Sequence, residues 1–113
     1  MLTIYHNPRC SKSRQTLELI KDNSKKEVKV IEYLKEPLSQ EDIEQLLALL
    51  SCSPVEMMRV KEAEFKEQNL KSADDKTLIA AMVTTPKLIE RPIVSDGSKA
   101  VIGRPPTNAL ALC

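Results

Sequence analysis

The sequence contains no Cys-x-x-Cys pair, and its three cysteines fall at positions 10, 52 and 113. An odd count without that spacing argues against a disulfide framework and against a zinc knuckle. Histidine occurs once, as His6, so no metal site built on imidazoles is expected. The formal charge is nearly balanced at +1, which is not the basic excess of a general nucleic-acid binder. No stretch approaches the length of a membrane span. The opening residues, "MLTIYH", hold no basic segment followed by an apolar run. Repeats, low-complexity segments and flexible linkers are also missing. The expectation is a reduced, soluble, cytoplasmic protein that binds neither nucleic acid nor membrane. A monomer is expected, because nothing in the sequence demands a dimer. The 113 residues suit one domain, 1–113, with a core that needs no staples.

The residues present give an order of elements. "LTIY" at 2–5 reads as a short buried strand, and Pro8 forbids continuing its ladder. A helix starts at Cys10 or Ser11, with Ser13, Thr16, Leu17 and Ile20 on one face. The polar run 21–27 ends it, and "VKVIEYL" at 28–34 reads as a second strand. Strand, helix and strand in that order predict a right-handed parallel unit. Ser39 to Asp42 resembles a capping box, with Leu38 and Ile43 as its hydrophobic staple. Ile43, Leu46, Leu47 and Leu50 then form a helical stripe. Ser53-Pro54-Val55-Glu56 is a second helix start and residues 72–75 are a third, so 39–83 is expected to be wholly helical. "PIVS-DG-SKAVI" predicts a hairpin turning at Asp96-Gly97. Gly103-Arg104-Pro105-Pro106 breaks its second strand, and "TNALAL" suits a short terminal helix. The order β-α-β, helices, β-β-α is that of an α/β, thioredoxin-like fold with a central helical insertion at about 39–83.

Cys10 lies in "YHNPRCSKSR", among donors and cations rather than apolar neighbours. At a helix amino end, free N–H groups and the helix dipole favour a thiolate. Arg9, Lys12 and Arg14 add positive potential, and a thiolate is the reactive form of cysteine. The same turn can hold an anion. The competing reading is a small residue filling space, which is the reading given to Cys52. Cys113 is expected to be exposed and without a role. Position 13 is serine, so a dithiol exchange mechanism lacks its resolving cysteine. Position 16 is threonine, where a low-molecular-weight phosphatase loop needs arginine. A single nucleophile that turns over with an external thiol remains.

Arg91 and Arg104 each precede a proline, and Arg59 ends "PVEMMR". In a thioredoxin-like fold the loop before the third strand faces the nucleophilic cysteine, which would aim Arg91 at Cys10. Arg104, after the fourth strand, is expected at the same mouth. Guanidinium forks bind tetrahedral oxyanions, and three of them with a helix amino end suit a dianion such as arsenate or phosphate. Taken singly, each arginine reads as a surface residue or a partner of Glu56, Glu62 or Glu90.

The segments "IYHNPRCSKSR" (4–14), "RVKEAEFKEQNL" (59–70), "LIERPIV" (88–94) and "AVIGRPP" (100–106), in that order, resemble the glutaredoxin-coupled arsenate reductases, the ArsC family. The resemblance covers nearly the whole chain. It implies a thioredoxin-like core, Cys10 as catalytic nucleophile, and Arg59, Arg91 and Arg104 as an oxyanion-binding triad. It also implies supporting roles for His6 and Ser13, with Ser13 donating to the sulfur, and a cis-proline at Pro92. The implied reaction is reduction of arsenate to arsenite with glutathione as co-substrate and glutaredoxin as partner, and with no bound metal or organic cofactor. Two other readings are a monothiol glutathione-dependent oxidoreductase and a redox regulator of the Spx type. The latter uses a C-x-x-C switch, which Ser13 breaks.

Overall fold

Leu2 and Ile4 alternate with Thr3 and Tyr5, and this period of two builds strand β1 (Leu2–Tyr5), with Leu2 and Ile4 buried. In the computed structural model, which describes residues 1–113, β1 lies inside a four-stranded sheet of order β2-β1-β3-β4. Helix α1 (Ser11–Asn23) follows, burying Ser13, Thr16 and Ile20, three of the four residues on the expected face. It runs to Asn23 and ends as the Ser24 N–H donates to the Ile20 carbonyl. Strand β2 (Val28–Ile31) pairs with β1 in parallel, Leu2 opposite Val28 and Tyr5 opposite Ile31. It is shorter than the expected 28–34, because β1 offers partners to four residues only. Beyond it the chain turns, and the Lys35 and Glu36 N–H groups donate to the Glu32 carbonyl.

Strands β3 (Ile93–Ser95) and β4 (Ala100–Ile102) form the expected antiparallel hairpin, and β3 is also antiparallel to β1. Its connection is a four-residue loop, 96–99, rather than the two-residue turn expected at Asp96-Gly97. Asp96 Oδ1 accepts from the Ser98 and Lys99 N–H groups, each at 2.8 Å, and the Asp96 N–H donates to the Lys99 carbonyl at 3.0 Å, which closes the turn. Gly97 takes a φ of +92°, a conformation that favours glycine. The register puts Ile4 beside Val30 and Val94, and Val94 beside Val101, all on one face. Leu2, Ile4, Val94, Ile20, Ala109 and Leu112 form the core on that face. The last two come from a terminal segment, Pro106–Leu112, which is a 3-10 helix packed against α1. This arrangement is the thioredoxin-like one that the element order implies.

Two compact units divide the chain: residues 1–36 with 91–113, just described, and residues 37–90. The expected insertion, 39–83, falls within the second. There, α2 (Gln40–Leu50) begins with the expected capping box. The Asp42 N–H donates to Ser39 Oγ at 3.1 Å, and the Ser39 N–H donates to Asp42 Oδ2 at 3.0 Å. Leu38 and Ile43, the staple pair, are both buried. The remainder is not one continuous helical run. Pro54–Met57 is a single 3-10 turn, after which Met58 becomes extended and bridges to Ile89. Helix α3 (Ala63–Glu67) has five residues, and Asn69 takes the left-handed conformation that separates it from the 3-10 turn Leu70–Ser72. Helix α4 (Asp75–Thr84) is capped by Asp74, which accepts from the Thr77 N–H at 2.8 Å. Within this unit α4 packs against α2, against Pro54–Met57 and against the 3-10 turn Pro86–Leu88.

Ile4 is fully buried on the strand flanked by β2 and β3. The substitution Ile4→Ala should lower stability by about 2–5 kcal/mol, the range for truncating a large core aliphatic. Urea unfolding followed by far-ultraviolet circular dichroism measures the loss.

Candidate active site

Five residues join β1 to α1, and backbone and side-chain bonds hold them. The Cys10 N–H donates to the Asn7 carbonyl at 3.0 Å, and the Arg9 N–H donates to Asn7 Oδ1 at 3.0 Å. Arg14 Nη1 reaches back to the Pro8 carbonyl at 2.9 Å. Cys10 is the N-cap residue of α1, with extended φ and ψ, so its side chain stands at the open end of the helix. The sulfur closes no cap bond of the kind that Ser39 and Asp74 close. Partial burial alone would raise its pKa. The Ser13 amide, the Arg91 charge, the Lys12 amide and the Arg91 side-chain donors outweigh that penalty, and the thiol pKa is lowered. Cys52 has the opposite balance: burial and the nearby Glu56 carboxylate push its pKa up.

Ser13 is fully buried, and its hydroxyl does not serve the sulfur as expected. The hydroxyl accepts from the Asn7 N–H at 3.0 Å and lies 2.6 Å from His6 Nδ1. The Ser13 hydroxyl thus bridges the Asn7 amide and the His6 imidazole, holding both against the first turn of α1. The Ser13 backbone N–H, rather than the hydroxyl, favours the thiolate. His6 is buried, and its pKa is lowered by that burial and by Arg14 and Lys21, against an opposing pull from Glu32. A neutral His6 thus fastens the loop to α1 through Ser13 and leaves the local potential to the arginines.

Arg91 precedes β3, and the Arg91–Pro92 bond is cis, as is Arg104–Pro105. The Arg91 charge and side-chain donors help to lower the Cys10 pKa, and the Arg91 Nε is buried without a hydrogen-bond partner. Arg104 is exposed, and its Nη1 points to the Arg91 carbonyl at 3.5 Å. One sheet unit therefore brings together Cys10, Arg91, Arg104, His6, Ser13 and Pro92. Arg59 belongs to the helical unit, where its guanidinium is paired with Glu62. Lys87 Nζ joins that pair, 3.5 Å from Glu62 and 3.3 Å from Glu64. Glu62 is one of the partners that the sequence offered for a structural arginine.

The description of the ArsC family matches residues 5–112. This chain belongs to the ArsC family. Its ArsC relatives include the arsenate reductase of Haemophilus influenzae, 39% identical over 112 residues, which cover 96% of each chain. The Escherichia coli protein YfgD, described only as uncharacterized, is 49% identical over 112 residues, covering 96% of this chain and 93% of that one. Among solved structures, the arsenate reductase from Vibrio cholerae superposes with a TM-score of 0.93 at 44% identity, covering 99% of this chain and 97% of that one. This ArsC chain therefore has the thioredoxin-like fold expected of it.

Two residues of this ArsC site escaped the sequence reading. Gly103 reads there only as a strand breaker. In the structure a Cβ at this position would lie 2.8 Å from Thr16 Oγ1 and 2.9 Å from Pro92 Cγ. Its N–H also donates to the Pro92 carbonyl at 2.8 Å. Glycine is thus required where the chain end of β4, the entry to β3 and α1 meet, one residue before Arg104. Thr16 completes the junction by turning its hydroxyl back to the Lys12 carbonyl at 2.8 Å. Sequence spacing carries no signal for such a contact, because its partners are separated by up to 87 residues.

Alkylation by iodoacetamide across pH should reach half its maximal rate at Cys10 below the midpoint of an unperturbed cysteine thiol. For Cys52 the midpoint should lie above that value, and peptide mapping separates the two sites. Gly103→Ala should destabilise the protein by about 1–3 kcal/mol, the scale of overpacking, and should displace Arg104. Chemical denaturation gives the first effect, and anion affinity by calorimetry gives the second.

Proposed function

We propose that this chain reduces arsenate to arsenite through one nucleophilic cysteine, with thiols as the source of electrons. The observation that carries the reading is the pairing of Cys10 with Arg91. The thiol is biased toward thiolate, and the guanidinium beside it has a buried, unpartnered Nε donor. An oxyanion seated next to the sulfur would satisfy that donor, and Arg104 would add a second positive fork. The fold, the family and the arsenate reductases among the relatives agree with this reading.

In the proposed scheme the Cys10 thiolate attacks arsenic(V), forms a sulfur–arsenic bond and displaces one oxygen as water. The repulsion between two anions is offset by guanidinium charge and by the amino end of α1, fixed donors of the kind that stabilise oxyanions in enzyme sites. A glutathione thiol then attacks the Cys10 sulfur. The sulfur–arsenic bond breaks, its electron pair stays on arsenic, and arsenite leaves as arsenic(III). The two sulfurs are left as a mixed disulfide. Ser13 cannot resolve it, so a further glutathione acts through glutaredoxin. The electrons come from thiols, and the scheme uses no resident metal or organic cofactor. The family resemblance implies a third oxyanion ligand in Arg59, whose guanidinium is paired with Glu62 here. The reading places the chain as a monomer in the reducing cytoplasm, where these thiols are maintained.

A second reading rests on the same sulfur. A lone low-pKa thiol without a resolving partner also suits a monothiol oxidoreductase acting on glutathionylated substrates. The relative with 49% identity is of unassigned activity, so family membership alone does not fix the substrate.

Purified protein with glutathione and glutaredoxin should release arsenite from arsenate, followed by arsenic speciation, and Cys10→Ser should abolish the release. Arg91→Lys keeps the charge but loses the fork, and kcat/KM for arsenate should fall by at least about tenfold, roughly the loss of one charge-assisted hydrogen bond. Reduction of a glutathionylated peptide with no arsenite formed would instead establish the second reading. Parent-like kinetics for Arg91→Lys would remove the oxyanion role of that arginine.

A further inference from the structure

Behind the Cys10 loop the sheet unit has a groove of about 240 Å³, lined by His6, Asn7, Pro8, Arg9, Glu32, Leu34 and Lys35. Three of these, Asn7, Pro8 and Arg9, are the residues immediately before Cys10, so the groove begins within one residue of the sulfur. The opposite wall is the turn after β2. There Lys35 Nζ lies 3.7 Å from Glu32 Oε1, forming an exposed pair. Leu34 stays 45% exposed in that turn, an apolar side chain with no place in the core. The groove therefore presents two cations, one anion and an apolar wall along the loop that leads into Cys10.

We propose that this groove is the subsite for the glutathione moiety bonded to, or attacking, Cys10. The inference rests on the thiol-dependent reading above and assigns the residues that recognise the thiol. Glutathione carries two carboxylates and one ammonium around a central cysteinyl sulfur, which is the inverse of the charge set in the groove. Its short arm ends in a glycyl carboxylate one residue from the sulfur, a reach of about 3.5 Å of backbone, and Arg9 is one residue from Cys10. Its longer arm ends in an α-amino-carboxylate, a zwitterion. Glu32 takes the ammonium of this zwitterion and Lys35 takes its carboxylate, while Leu34 and Pro8 cover the methylene carbons between. Exposed charges of this kind add little affinity singly. Together they orient the tripeptide and make its capture depend on ionic strength.

The test uses oxidised glutathione and needs no arsenate. The Cys10 thiolate attacks one sulfur of the disulfide, the sulfur–sulfur bond breaks, the mixed disulfide forms and one glutathione thiolate leaves. The rate is read by mass spectrometry, with uncharged 2-hydroxyethyl disulfide as the comparison oxidant. Lys35→Glu should slow the reaction with oxidised glutathione by about fivefold, the scale of removing one exposed ion pair. Its rate with 2-hydroxyethyl disulfide should change by less than about twofold, as should the parent pH midpoint for Cys10 alkylation. Leu34→Ser should slow the glutathione reaction selectively in the same way. The inference is overturned by equal slowing of both oxidants, or by a Lys35→Glu protein that reacts with oxidised glutathione at the parent rate. Because arsenite release is measured separately, failure here leaves the arsenate reading standing, and failure there leaves this subsite standing.

Discussion

A thiolate that is partly withdrawn from water must be met by donors, or it takes up a proton. At Cys10 the donors are the amides of Ser13 and Lys12 in the first turn of α1 and the guanidinium of Arg91. Nearly every local feature of the sheet unit serves to keep those groups together. The loop 6–10 is closed by its own backbone, by Asn7 and by Arg14. Ser13 is fastened between the Asn7 amide and His6. The result is a thiol whose pKa is lowered by fixed dipoles and one charge.

Arg91 acts on Cys10 although 81 positions separate them in sequence, and the sheet supplies that proximity. β1 delivers the chain to the Cys10 loop, and its neighbour β3 starts just after Arg91 and Pro92. Gly103 lets the end of β4 approach Pro92 and Thr16 more closely than any residue with a Cβ would allow. Arg104 follows directly, with its guanidinium on the Arg91 carbonyl. The two arginines are thus coupled through a packing junction, and a substitution at glycine acts on charge placement as well as on stability.

The helical unit has a different logic. Its elements are short because each start signal is soon overridden by a tertiary demand. Ser53, Pro54 and Glu56 begin a helix in the expected manner, but Met58 is drawn into an extended bridge with Ile89. Asn69 breaks the chain again in the left-handed region. The ion cluster of Arg59, Glu62, Glu64 and Lys87 ties the start of α3 and the residues before it to the 3-10 turn Pro86–Leu88. Arg59, Glu62 and Glu64 are partly shielded from water, whereas Lys87 is exposed.

Local pattern in the sequence determined much of this protein. Alternation in "LTIY", the spacing of Ser13, Thr16, Leu17 and Ile20, and the Ser39–Asp42 capping box each depend on neighbours within one or two turns, and each formed. Cys10 was legible for the same reason: a helix amino end and its amides are local facts. Strand and helix lengths were not, because β2 stops where β1 runs out of partners and the 54–57 turn stops where Ile89 claims Met58. The Ser13 hydroxyl pointed to His6 rather than to sulfur, since the geometry of a buried loop selects between two acceptors that the sequence leaves equivalent. The element order already aimed Arg91 at Cys10, but only the tertiary structure decided that Gly103 is a contact and not merely a break, because that depends on distances between segments that the chain order alone does not contain.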